Sequence, residues 1–209
     1  ALWKIPKSFR RPLSVTIGEP LDDPQDMFEI RLAVQKLSAD SHHHYAGKFV
    51  SPAAMLVKQC KKRRFKLKAS DSTGGSETGG KFLTRALVLR KLLRKHVLAT
   101  DEMNVGVLIP PSVGGAIVNI ALSLDKRTAI NLNYSLSEDL VNNCISQAKI
   151  KHVLTTRKVM EKFDYNLDAE VFYLDDLKEL VTTAEKMSAA MASFLLPAWL
   201  HTRLLGLGQ

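Results

Sequence analysis

Val105-Gly106-Val107-Leu108-Ile109 is an unbroken apolar run of strand length, and Pro110-Pro111-Ser112 stops it at once. A run without polar alternation suits a strand covered on both faces, as in a parallel sheet. Residues 112–124 are helical in length and apolar nearly all round, with Gly114 and Gly115 permitting close packing. Thr128-Ala129-Ile130 reads as a second strand, followed by a helix whose inward stripe is Leu140, Val141, Cys144, Ile145 and Ala148, with Ser137 as its cap. His152-Val153-Leu154-Thr155 and Val171-Phe172-Tyr173-Leu174 add two strands, with a short helix at Lys158–Phe163 between them. Four strands alternating with helices predict a doubly wound α/β unit with right-handed crossovers. Open α/β sheets bind ligands at the carboxyl ends of their strands, which makes Pro111 and Ser112 the substrate-proximal candidates. The same two residues also serve simply as a strand stop and a helix cap.

Downstream, residues 177–209 carry helix and no strand signal. Met187 to Leu200 is apolar or small apart from Ser188 and Ser193, is broken at Pro197, and ends in Trp199 before His201 and Arg203. Such a segment is too short to span a bilayer. It reads either as an interfacial, membrane-touching helix anchored by Trp199 or as a core helix. Upstream, Phe82, Ala86, Leu89 and Leu93 form one helical stripe ending near His96. Asp71 through Gly80 is turn chemistry, and Phe65, Leu67 and Ala69 alternate with Lys66, Lys68 and Ser70 as a strand with one wet face. Pro52 opens a helix carrying Ala53, Leu56, Val57 and Cys60. Leu13–Ile17 reads as a strand stopped at Gly18-Glu19-Pro20, and Met27, Ile30, Val34 and Leu37 as a helix reaching the His42-His43-His44 run.

The chain has 209 residues and is 45% apolar, enough for a core and far from disordered or fibrous composition. Cys60 and Cys144 match no metal spacing and build no disulfide framework, so both read as core thiols of a reducing compartment. The first residue is Ala1, no signal segment follows, and no run of 18 uncharged apolar residues occurs, which predicts a cytosolic-side fragment of a longer protein. Charge is uneven: residues 1–100 hold 20 Lys and Arg against 8 Asp and Glu, and residues 101–209 hold 10 against 13. Lys58, Lys61, Lys62, Arg63, Arg64, Lys66 and Lys68 form an acid-free patch fit to meet phosphates, at about 1 kcal/mol per side chain near an anionic membrane.

Three motifs nearly fit a chemistry. Gly75-Ser76-Glu77-Thr78-Gly79-Gly80-Lys81 matches G-x-x-x-x-G-K, but Phe82 follows where a magnesium-binding hydroxyl belongs, and the preceding strand is not a buried one. His96 and Asp101 match the H-x-x-x-x-D spacing of glycerolipid acyltransferases, with no acceptor-binding motif downstream. His42-His43-His44 point different ways at a helix end, with no further ligand at metal spacing. No nucleophile-elbow motif is present.

Asp71-Ser72-Thr73-Gly74, Thr78-Gly79-Gly80-Lys81-Phe82-Leu83-Thr84-Arg85-Ala86, the 105–112 stretch and Ala129-Ile130-Asn131-Leu132-Asn133-Tyr134 stand in an order that resembles the N-terminal portion of acyl-adenylate-forming (AMP-binding) synthetases. The resemblance covers about residues 65–175 and is nearest to the synthetase half of bifunctional acyltransferase/acyl-[acyl-carrier-protein] synthetases. Val15-Thr16-Ile17-Gly18-Glu19-Pro20-Leu21 and Phe28-Glu29-Ile30-Arg31 look like the closing strand and last helix of a lysophospholipid acyltransferase domain. The resemblance therefore implies four parts: 1–45 the end of an acyltransferase-like domain, 46–64 a basic linker helix, 65–176 part of a synthetase-like domain, and 177–209 a helical, membrane-interfacial segment.

The resemblance further implies a parent that uses ATP and Mg to activate a fatty acid. The acyl group would pass to acyl carrier protein or coenzyme A and onto a lysophospholipid, on the cytoplasmic side of the inner membrane. Membrane contact would run through the basic patch and Trp199. The family's ATP loop, catalytic Lys and acyltransferase pair have no counterparts here, so no catalytic, cofactor-binding or metal residue carries over and the fragment is expected to be inactive alone. The competing expectation is a non-enzymatic basic module. Against nucleic acid as its partner, the patch offers only Phe65 for base stacking.

Overall fold

A computed structural model describes residues 15–21, 26–46 and 50–207. The chain divides into two units, one of residues 1–49 with Gln209 and one of residues 50–208.

In the first unit, α1 spans Met27–Ala46 and runs through the three histidines. Its apolar stripe is largely exposed, with Met27 at 81% and Val34 at 60%. Of the strand expected over 13–17, Leu13 and Ser14 lie outside the described residues, and Val15, Thr16 and Ile17 are exposed and unpaired with any strand. Gly18 lies against the Leu37 side chain of α1 instead, where a Cβ would come within 2.8 Å of Leu37 Cδ2.

The second unit is built on a parallel sheet of β3 (Asn104–Val107), β4 (Thr128–Asn131), β5 (His152–Thr155) and β6 (Glu170–Tyr173), in the order β4-β3-β5-β6. Helices cover both faces, because the strands are apolar on both. Val105, Val107 and Leu154 pack under α3 (Gly79–His96) and α4 (Val113–Leu124) with Leu92, Leu93, Val118 and Leu122. On the other face Leu108 and Val153 pack with Val141 and Ile145 of α5 (Glu138–Gln147) and Val159 of α6 (Arg157–Phe163). Gly106 faces this second layer, and a Cβ there would stand 2.9 Å from Val153 Cγ2, so glycine lets the layers close. The expected doubly wound α/β fold is the observed one.

Four local expectations need correction. The 71–80 stretch, read wholly as turn, contains β2 (Ser76–Thr78), which pairs antiparallel with β1 (Leu67–Ser70), and α3 already begins at Gly79. Asp71 closes the intervening turn locally, its Oδ1 accepting from Thr73 N (3.0 Å), Thr73 Oγ1 (2.7 Å) and Gly75 N (3.0 Å). The expected wet-and-dry alternation of β1 does not hold, since Phe65 and Leu67 are 77% and 66% exposed while Ala69 packs against the core. On α5 only Val141 and Ile145 are buried, while Leu140 and Cys144 are exposed, because a narrow i, i+4 row suffices to cover the sheet there. Cys144 is therefore not a core thiol; Cys60 is, and burial raises its pKa.

The remaining helices frame α3. Ala53, Val57 and Cys60 of α2 (Pro52–Lys62) enter a core with Phe82, Leu83, Ile117 and Leu205. The segment expected as a connecting helix is thus part of the second unit's interior. The C-terminal stretch forms α7 (Leu177–Leu180), α8 (Thr183–Phe194) and α9 (Ala198–Leu204). Thr182 and Glu185 build a reciprocal capping box that starts α8. Among the described residues, no helix is long and apolar enough to cross a membrane.

Candidate functional site

The strand order fixes where a ligand would sit. The chain leaves β3 through α4 to reach β4 on one side, then returns through α5 to β5 on the other, so the winding reverses between β3 and β5. The crevice outside the carboxyl ends of those two strands is the topological switch point of such a sheet. Residues 108–112 and 155–157 form its two walls. Thr155 Oγ1, fully buried, donates to Leu108 O at 2.8 Å and ties the walls together.

Pro111 and Ser112 stand on the first wall. Pro111 is exposed, and Ser112 caps α4 by accepting from Gly115 N at 3.0 Å. The Val113 N–H is bound by Asp71 Oδ2 at 2.8 Å, so the hairpin turn is latched to the start of α4. That bond, with the others to Thr73 and Gly75, holds the Asp71 carboxyl down at a pKa of about 2. On the second wall Arg157 reaches Asp176 through Nη2, at 2.8 Å and 3.0 Å from its two oxygens, and lies 4.6 Å over the Tyr173 ring. Its backbone N–H donates to Asp175 Oδ2 at 3.1 Å, and Lys178 pairs with the same residue at 2.8 Å. Asn119 and Asn131 exchange two amide hydrogen bonds of 3.0 Å and 2.9 Å beside the end of β4.

Asp71, Thr155, Arg157 and the Asn119/Asn131 pair were not singled out by sequence. Only Asp71 carried a local signal, the Asp-x-Thr-Gly turn, and its bond to Val113 spans 42 residues.

The basic patch proves to be two populations. Lys61 Nζ donates to Ala192 O (2.6 Å), Ser193 O (2.9 Å) and Leu196 O (2.8 Å), while Arg64 Nη1 donates to Phe194 O (2.8 Å). Cations here satisfy the carbonyls at the end of α8, where a helix carries partial negative charge. Burial, and after it Arg64, pushes the Lys61 pKa down to about 8. Lys58, Lys62, Arg63, Lys66 and Lys68 are exposed. Trp199 on α9 is 66% exposed, and at the solvent side of α8 Met187, Met191 and its cap Leu195 form an exposed apolar row at steps of four. The inner face of the same segment is buried through Ala189, Ser193, His201 and Leu205, so these helices are amphipathic and not wholly core.

The near-motifs resolve into structure. In the Gly75–Lys81 stretch, Gly79 N donates to Lys66 O at 3.0 Å and Gly80 N to Arg64 O at 2.8 Å. A phosphate cradle needs those N–H groups free. His96 is exposed on the last turn of α3, and Asp101 pairs with Lys151 at 3.3 Å. Among the described residues, no cluster of three His, Cys, Asp or Glu is placed to hold a metal ion. The Gly75–Lys81 stretch, with those N–H groups engaged, therefore does not form a phosphate-binding loop.

No protein-family model matches the chain. Solved structures do share its fold. VinN in complex with 3-methylaspartate is similar at TM-score 0.53 and 15% identity, over 70% of this chain and 39% of VinN. The Klebsiella oxytoca NpsA N-terminal subdomain in complex with 3-hydroxybenzoyl-AMSN gives 0.54 and 13%, over 62% of this chain and 32% of that subdomain chain. Mycobacterium tuberculosis fatty acyl CoA synthetase gives 0.51 and 17%, over 65% of this chain and 28% of that enzyme. The chain thus spans well under half the length of each, and its fold resembles that of the N-terminal domain of adenylate-forming synthetases.

Proposed function

We propose that this chain is a scaffold portion of an enzyme that activates a fatty acid with ATP, passes the acyl group from the adenylate to acyl carrier protein or coenzyme A, and is coupled to lysophospholipid acylation. The observation that carries the reading is the parallel sheet ordered β4-β3-β5-β6 with its switch point between β3 and β5, a fold shared with a fatty acyl CoA synthetase. In this reading Pro111 and Ser112 lie nearest the bound acyl group. Ser112 acts by holding the turn, since its Oγ is committed to Gly115. ATP and Mg are held by residues outside this chain, and no step is assigned to any side chain here. The acyltransferase part rests on the resemblance of residues 15–31 alone.

Membrane contact belongs to the same proposal. Exposed Lys58, Lys62, Arg63, Lys66 and Lys68, with exposed Trp199, are the groups that would meet an anionic leaflet on the cytoplasmic side.

The test is fatty-acid-dependent ATP–pyrophosphate exchange by the reading frame that encodes this chain with its flanking sequence, using the 209-residue chain as control. Exchange by the longer protein alone supports adenylation. Absence of exchange across a panel of fatty acids overturns it and favours a non-enzymatic basic module.

A further inference from the structure

At the opposite ends of the strands from Pro111, a cavity of about 580 Å³ opens between the second half of α3, the α4–β4 turn and the end of α9. Arg90 and Arg94 from α3, and Asp125, Lys126 and Arg127 from the turn, line it. Asp125 is the hub: its Oδ1 lies 3.0 Å from Arg90 Nε and 3.5 Å from Arg94 Nε, and its Oδ2 2.8 Å from Arg127 Nε. One carboxylate cannot neutralise three guanidinium groups and the Lys126 ammonium. The cavity's other acid, Glu102, is engaged by the His152 ring at 2.8 Å. Arg127 is further held by the Glu102 carbonyl, which leaves it facing Asp125. Arg90 Nε is buried against Asp125 and shares that one carboxylate with Arg94 and Arg127. Burial of unmatched positive charge is costly, and an oxyanion brought between planar guanidinium forks relieves it.

We propose that this Arg90/Arg94/Lys126 cavity is a binding site for a phosphoryl oxyanion. A second cavity of about 610 Å³ adjoins it across Arg90, Arg94, Leu204 and Leu205, with Ala189, Ala192 and Leu196 giving an apolar floor. An anion carried on an apolar chain and a free anion share the same phosphate chemistry.

The test is calorimetric titration of the 209-residue chain with inorganic phosphate and with octyl phosphate below its micellar range. One-to-one binding of either is expected, weakened about fivefold or more by Arg94→Gln and by Lys126→Gln, both judged folded by circular dichroism. Lys162→Gln, exposed on α6, should leave it unchanged. Tighter binding of octyl phosphate assigns the site to an amphiphile, and equal binding assigns it to free phosphate. Failure of both ligands to bind at roughly 10 mM, or equal weakening by Lys162→Gln, overturns the proposal. Neither result bears on pyrophosphate exchange, so this site and the adenylation reading stand or fall separately.

Discussion

Asp71 fastens the β1–β2 hairpin to α4 through a single carboxylate that accepts four hydrogen bonds. Its folded pKa of about 2 lies below the ordinary 3.8, so its contribution is present above pH 4 and lost as pH falls through 2. Asp71→Ala should lower the melting temperature at pH 7 more than Asp71→Asn, and both deficits should shrink toward pH 2 in melts followed by circular dichroism. His201 acts in a different window. Burial, then Lys61 and Arg90, holds its pKa down to about 4 from 6.5, and it stays neutral in the folded chain. The unfolded chain binds the proton first, so stability falls between pH 6.5 and 4, by up to about 3 kcal/mol at roughly 1.4 kcal/mol per pH unit. Urea titrations should show that slope in the wild type and its loss in His201→Leu. Lys61→Met, which strips three carbonyls of their donor, should cost about 2 kcal/mol by the same measurement.

Among the elements, α3 shows why glycine is needed at one junction. A Cβ on Gly80 would stand 2.3 Å from Phe194 Cζ, and one on Gly79 would stand 2.8 Å from the carbonyls of Cys60 and Arg63. Gly80→Ala should therefore destabilise by about 1–3 kcal/mol, and Phe194→Leu should recover part of that loss in a double-mutant cycle. The strands β3 to β6 and helices α3 to α6 were legible because buried parallel strands are apolar runs and their covering helices are striped. The strand Ser76–Thr78 was not, because polar residues between glycines carry turn chemistry, and pairing with β1 alone makes them extended. The same limit hid the inward row of α5, where five apolar positions competed and the sheet took only Val141 and Ile145. At the candidate site, the strand stop at Pro110-Pro111-Ser112 was legible, whereas Thr155, Arg157 and Asp71 owe their placement to partners 18 to 47 residues away.

For the molecule as a whole, the surplus of positive charge divides by use. Lys61 and Arg64 hold the end of α8, Arg90, Arg94 and Arg127 gather on Asp125, and Lys58, Lys62, Arg63, Lys66 and Lys68 stay exposed. Sedimentation with anionic vesicles should accordingly fall several-fold when Lys58, Lys62, Arg63, Lys66 and Lys68 are changed to Gln, and should weaken with salt, while thermal stability changes little. The central claim concerns the sheet: its working end is the crevice at the carboxyl ends of β3 and β5. Amide hydrogen exchange on the longer protein, with and without a non-hydrolysable acyl-adenylate analogue, tests it most directly. The account predicts added protection in peptides covering 108–112 and 155–157 and none in those covering 125–128; a bound analogue that leaves both carboxyl-end peptides unprotected would contradict it.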